Sequence, residues 1–289
     1  MGVFNLAAKD ITEKTLLGFN DVFADVVNAF FALSGINRRI KPDELEDIRA
    51  WSMYKAEDKL REQERYVVKL WKSEGAVISL IGLENQSDVD SDMALRIFGY
   101  EGADYRGQLS RKGTKPYFVM TVVLYYGTDK RWNAPRNLFE RLNVPEEFRP
   151  FVNDIHVNVI ELAWLTDEQA EIFTGDFRIV VDYLRQSRKG DDYLPTEAEI
   201  KHVDEILKLM RVMTGDRRFE NVRNNAPIKE GERIMVKSFL EIAEKKGIAK
   251  GKADALREVM QRLIAKGMTE EEAAAITDIS SYEKMEPVS

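Results

Sequence analysis

The sequence predicts an α/β fold, a mixed central sheet flanked by helices and followed by a C-terminal helical tail. Three observations carry that prediction. Residues 78–86, Ile-Ser-Leu-Ile-Gly-Leu-Glu-Asn-Gln, are apolar on both faces until they end in a carboxylate and two amides, the pattern of a central strand buried from both sides. Residues 117–126 are β-branched and aromatic and stop at Gly127, which makes them the strongest strand in the chain. Around these runs the apolar spacing changes to the helical period, so that helices pack on both faces of one sheet.

Taken in order, residues 15–34 place Leu16, Phe19, Val22, Phe23, Val26, Val27, Phe30 and Phe31 along one helix face. Asp21 and Asp25 stack four apart on the other side, where like charges repel unless a donor or cation lies near. Ser34-Gly35 ends the helix. A second helix is expected from Pro42 to about Trp51, then a charged stretch from Lys55 to Arg65. Residues 65–71 read as a strand, and Lys72-Ser73-Glu74-Gly75 as the turn of an antiparallel hairpin that leads into the buried run. Glu84 then stands at that strand's end, and Gln86, two residues on, points to the same side. Helical text follows from Asp88 to about Gln108, near 137–141, and at 167–174, 176–187 and 196–213, with a further strand over 156–163. We divide the chain into a domain at 1–216, a linker at 217–231 where Asn, Arg and Pro replace apolar residues, and a helical tail at 232–289. Thr269 and Glu272 have the spacing of a capping box.

Composition narrows the chemistry. The 289 residues contain no Cys and two His, which removes disulfides, thiolate catalysis and multi-histidine zinc sites. Any metal is then held by oxygen, which means Mg2+, Mn2+ or Ca2+. No apolar run approaches the roughly 20 residues of a membrane span, and the first residues carry neither a signal-peptide nor a myristoylation pattern. The expectation is a cytoplasmic protein without a membrane partner. The net charge of −7 speaks against indiscriminate coating of nucleic acid. The segment from Arg96 to Arg136 nevertheless holds eight basic residues against three acidic ones, a local excess compatible with a bound polyanion.

Six stretches in order resemble the bacterial recombination-promoting nuclease or YhgA-like transposase family, a branch of the PD-(D/E)XK nucleases. They are residues 19–28, the Gly82-Leu83-Glu84-Asn85-Gln86 run, residues 93–96, residues 99–106, Leu124-Tyr125-Tyr126-Gly127 with Lys130-Arg131-Trp132, and residues 176–183. The glycine-punctuated tail is similar as well. The resemblance implies a restriction-endonuclease-like core of helix, three-strand meander, helix and strand. It implies a cytoplasmic, Mg2+-dependent DNA endonuclease working in recombination or transposition-like mobility on double-stranded DNA. In that family an Asp on one hairpin strand and a Glu on the next hold the metal, and a residue two after the Glu orients the attacking water. Glu84 and Gln86 match the latter two.

One departure stands out. Where the resemblance places the Asp, this chain has Tyr66, and a phenol with a reference pKa near 10 is a poor Mg2+ ligand at neutral pH. Asp21, or failing it Asp25, is the candidate substitute from the first helix, while Glu64 lies about 6.6 Å back along the strand by rise alone. Impaired cleavage on an intact fold is the expectation. The alternative is a catalytically inactive DNA-binding or self-associating protein, joined into homo-oligomers by its C-terminal helix. Arg96, Tyr100, Arg106, Lys130 and Arg131 are the candidate nucleic-acid contacts. Arg96 and Tyr100 also read as a surface pair covering core, and Trp132 as an anchor beside solvated charges. His156 is expected to be structural.

Overall fold

The computed structural model describes residues 3–48, 51–56, 59–64, 67–109, 115–190, 193, 199–214, 219, 234–235, 256–265, 268–269 and 272. Helices α1 (Val3–Gly18) and α2 (Asn20–Leu33) come first, followed by β1 (Leu45–Asp47), β2 (Trp51–Ala56), β3 (Lys59–Glu64), β4 (Val67–Ser73) and β5 (Ala76–Gln86). Then come α3 (Met93–Leu109), β6 (Phe118–Tyr125), α4 (Leu138–Leu142), β7 (Asn158–Glu161), α5 (Asp167–Ala170), α6 (Phe177–Lys189), β8 (Glu199–Ile200), α7 (Val203–Thr214) and β9 (Ile234–Met235).

The central sheet has five strands in the order β1-β4-β5-β6-β7. β1, β4 and β5 form an antiparallel meander, with the β2–β3 hairpin inserted between its first two strands. β6 joins β5 in parallel through α3, and β7 joins β6 in parallel. The α/β fold expected from the sequence is therefore present, in the order helix, meander, helix, strand. The β4–β5 turn is tighter than the four residues expected: Glu74 and Gly75 alone make it, both at positive φ (51° and 79°), the backbone of a two-residue hairpin turn whose twist matches the strands.

Each β5 side chain belongs to one of two layers. Ile81 and Leu83 join the large core built with α1, α2, α6 and α7, including Phe23, Val27, Val180 and Leu207. The opposite face carries Leu80 and Glu84, with Val119 and Val123 beside them on β6, and α3 covers it through Met93, Ala94 and Ile97. The apolar character of residues 78–83 on both faces follows from this sandwich.

Four expected helices turn out differently: the one over 167–174 stops at Ala170, the one over 196–213 begins only at Val203 after strand β8, and two others change more. The single helix over 15–34 is broken at Phe19 (φ −69°, ψ 131°), and the two pieces meet at 89°. The break has its own partners: the buried Lys69 ammonium donates to the Gly18 carbonyl at 2.7 Å and pairs with Asp47, while Asn20 Nδ2 donates to the carbonyls of Pro42 and Leu45. The helix expected from Pro42 is absent among the described residues. After a short 3-10 turn at Pro42–Glu44, Leu45 pairs with Trp71 as an edge strand, because tertiary pairing outweighs weak local helix preference. Glu64 lies on β3, opposite Trp51, and not on β4, so it belongs to the inserted hairpin.

Among the described residues no single helix is long and apolar enough to cross a membrane. The expected linker at 217–231 falls almost wholly outside the described residues, as does most of the tail. In the tail, residues 256–265 are helical. Thr269 and Glu272 exchange the reciprocal bonds of a capping box: the Thr269 backbone N–H donates to the Glu272 carboxylate at 3.0 Å, and the Glu272 N–H donates to the Thr269 hydroxyl at 3.3 Å.

Candidate functional site

The three parallel strands end together. Gln86 lies beside Tyr125, and Tyr125 beside Glu161, so their carboxyl ends form one edge, the place where open parallel sheets commonly bind ligands. β4 starts at this edge, with Val67 opposite Leu83. Tyr66, the residue before it, lies outside the described residues.

Glu84 is 4% exposed and is held by charge. Arg96 Nη2 donates to Glu84 Oε1 at 2.5 Å, and Arg96 Nη1 donates to Asp90 Oδ2 at 2.7 Å. Gln86 Nε2 adds a 3.2 Å bond to the same Glu84 oxygen. The buried Tyr100 hydroxyl accepts from Arg96 Nη2 at 3.1 Å, which the i, i+4 spacing on α3 makes possible. Burial draws the Arg96 guanidinium down, but the Glu84 carboxylate and the bonds to Asp90 and Tyr100 outweigh it and hold Arg96 above its ordinary range. One guanidinium thus sits between two carboxylates.

Of the residues singled out in the sequence, Glu84, Gln86, Arg96 and Tyr100 are brought together here. Asp21 is elsewhere, on α2, whose buried residues pack against the opposite face of the sheet. It takes hydrogen bonds from Lys201 Nζ (2.5 Å) and His202 Nε2 (2.9 Å). Burial opposes its ionisation, and those two partners override it, so its pKa falls below the ordinary value. Asp25 is likewise committed, accepting from the Thr174 and Gly175 backbone N–H groups at 2.9 and 3.1 Å. Burial pushes the Asp25 carboxyl up despite these donors. Arg106 is exposed in the last turn of α3.

Lys130 and Arg131 lie on the loop after β6. Trp132 beside them is buried and meets the Tyr125 ring edge-on at 5.4 Å, so it anchors the loop and offers no stacking surface. Its backbone N–H donates to Glu161 Oε1 at 2.6 Å. His156 is exposed and makes an isolated backbone bridge with Asn137. Between the loops after β5 and β6 and helices α6 and α7, a cavity of about 370 Å3 opens, lined by Asp88, Tyr126, Lys130, Tyr183 and Met213 among others. Burial, followed by the carboxylates of Asp88, Glu161 and Asp129, pushes the Tyr125 phenol above its ordinary pKa.

Sequence reasoning missed Asp90 and Glu161. Asp90 gave no signal beyond its place in a polar turn. Glu161 did give one, because it stands two residues before the end of the run 156–163, as Glu84 stands two before the end of the run 78–86.

The groups at this site able to ligate a cation are the carboxylate oxygens of Glu84 and Asp90, while Gln86 turns its amide nitrogen to Glu84. With a guanidinium already between the carboxylates, the set fits a hard cation in kind, since Mg2+ binds through one or two carboxylates and completes its shell with water and substrate phosphate. Among the described residues no group of three or more His, Cys, Asp or Glu forms a metal cluster.

No curated protein and no solved structure matches the chain. A family model described as "Putative transposase, YhgA-like" matches residues 44–211, more than half of the sequence and every strand of the central sheet. The chain belongs to this YhgA-like transposase family.

Proposed function

We propose that the chain carries the phosphodiester-hydrolysing site of a Mg2+-dependent DNA endonuclease in weakened form, at the carboxyl edge of β5. The observation that carries this reading is the buried Glu84, bonded to Gln86 two residues on and charge-matched by Arg96. Buried carboxylates are kept where a cation compensates them, and this one lies two residues before the carboxyl end of β5, near the edge where open parallel sheets commonly bind ligands.

In this reading Glu84, with Asp90 in support, holds the cation, which when bound lowers the pKa of a water and polarises the scissile phosphate. The Gln86 amide orients that water: its oxygen accepts and its NH2 donates, but it carries no charge. Arg96 neutralises Glu84 in the resting protein and competes with the cation for the same oxygen. Tyr100 holds the guanidinium in place. The resemblance puts the second metal ligand at position 66, and in this chain that residue is Tyr66 rather than a carboxylate. Weak cleavage follows from the missing charge.

Plasmid nicking tests the reading. The parent protein with Mg2+ is expected to nick supercoiled plasmid slowly, and Glu84→Ala to abolish the activity, a loss of about 100-fold or more if the carboxylate contributes several kcal/mol. Nicking that survives Glu84→Ala unchanged would place the chemistry elsewhere. No nicking by the parent, with DNA binding retained, would favour the catalytically inactive DNA-binding alternative.

A further inference from the structure

We infer a phosphate clamp for the DNA backbone, formed by Arg131, Arg188 and Arg136 around Trp164 at the end of β7. This rests on the DNA reading above and extends it to residues on α6 and beyond the β7 strand.

Trp164 is fixed first: its indole N–H donates to the Gly127 carbonyl at 3.2 Å, tying the turn after β7 to the loop after β6. Two guanidiniums then lie on its ring, Arg188 Cζ at 4.6 Å and Arg131 Cζ at 5.2 Å from the centroid. Arg188 is further pinned by donating Nε to the Ala163 carbonyl at 2.8 Å. Arg131 and Arg136 share one carboxylate, Glu161 Oε2, at 3.9 and 3.6 Å, and among the described residues no carboxylate pairs with Arg188 within 4.0 Å. Three guanidiniums, those of Arg131, Arg136 and Arg188, therefore meet at this corner, with Glu161 the carboxylate that the first two share. Stacking, a carbonyl and one shared carboxylate hold three like charges together and leave a positive surplus, and the outward face is open: the Arg131 and Arg136 side chains are 64% and 44% exposed.

Such an arrangement suits a multiply hydrogen-bonded anion, because planar guanidiniums fixed in advance meet phosphate oxygens through paired donors at little entropic cost. Its position selects a polymer. Glu161 lies beside Tyr125, and Tyr125 beside Gln86, so the clamp stands at the same carboxyl edge of the sheet, two strands along from β5. The clamp would add affinity for the backbone at the same sheet edge as Glu84.

The test is fluorescence anisotropy of the full chain with a 20-base-pair duplex, in EDTA so that hydrolysis plays no part, over about 50 to 200 mM KCl. Arg131→Ala/Arg188→Ala is expected to weaken binding about tenfold or more at the lowest salt and to flatten the log–log salt slope by about two, one unit for each phosphate that is no longer neutralised. Arg131→Ala alone, at an exposed side chain, is expected to flatten it by about one and guards against misfolding of the double variant. Arg38→Ala, which removes a guanidinium 4.5 Å over the Trp71 ring, is the control and leaves the slope unchanged. A parent that binds DNA with a slope equal to that of both variants overturns the clamp. A parent that does not bind at all overturns the clamp and the DNA reading together. A flattened slope in a protein that never cleaves with Mg2+ supports the clamp while the hydrolytic reading falls.

Discussion

Tyr66→Asp is expected to raise Mg2+-dependent plasmid nicking by about 100-fold over the parent. A second carboxylate across the hairpin from Glu84 adds one formal negative charge to an all-oxygen donor set, and the gain depends on what that charge is worth to the bound cation. A few kcal/mol is a modest contribution for a ligand in a site closed off by α3 and β6, and each 1.36 kcal/mol is tenfold in rate. The double variant Tyr66→Asp/Glu84→Gln is expected to fall back to the parent level, because the charge gained on one strand is lost on the other. Equal inactivity of Tyr66→Asp and the parent contradicts the assignment of position 66.

Arg96→Gln carries the second large effect, and it is one of stability. The Glu84 side chain is 5% exposed and that of Arg96 33%. Removing one partner of a well-buried ion pair costs about 3–5 kcal/mol; with Arg96 partly solvated, about 2–3 kcal/mol is expected, a fall in Tm of about 5–10 °C for a chain of this size. Added Mn2+ is expected to restore much of it, since a ligand at 100 times its Kd stabilises by about 2.7 kcal/mol. In the parent, where Arg96 already holds Glu84, the same Mn2+ is expected to shift Tm far less. A variant as insensitive to Mn2+ as the parent would mean that the guanidinium does not occupy a cation's place.

The central sheet was legible because its strands announce themselves twice over. Residues 78–86 and 117–126 are apolar on both faces, which only a sheet covered on both sides explains. The helix boundaries were less so. Nothing in residues 15–34 says that Phe19 leaves the helix, because the break is held from a distance by Lys69 and by the carbonyls of Pro42 and Leu45. Residues 45–47 carry no strand signal of their own and are strand only because Trp71 and its neighbours pair with them.

The site was half legible, for a similar reason. Glu84 and Gln86 are two apart on a strand, and Arg96 and Tyr100 four apart on a helix, so local periodicity alone places each pair on one side. What joins the two pairs is the packing of α3 over β5, which no spacing encodes. Asp21 shows the converse. Its position near Glu84 was a guess about tertiary structure, and the structure gives its charge to Lys201 and His202 instead. Arg188 joins the Trp164 corner from 24 residues further along the chain, and only the fold reveals that meeting.

The most direct measurement is anomalous diffraction from crystals of the Tyr66→Asp variant soaked in Mn2+. The account predicts one strong peak at coordination distance, about 2 Å, from the Glu84 carboxylate, beside the introduced Asp at position 66. A peak on Asp21 with none beside Glu84, or no peak at all at saturating Mn2+, would contradict it.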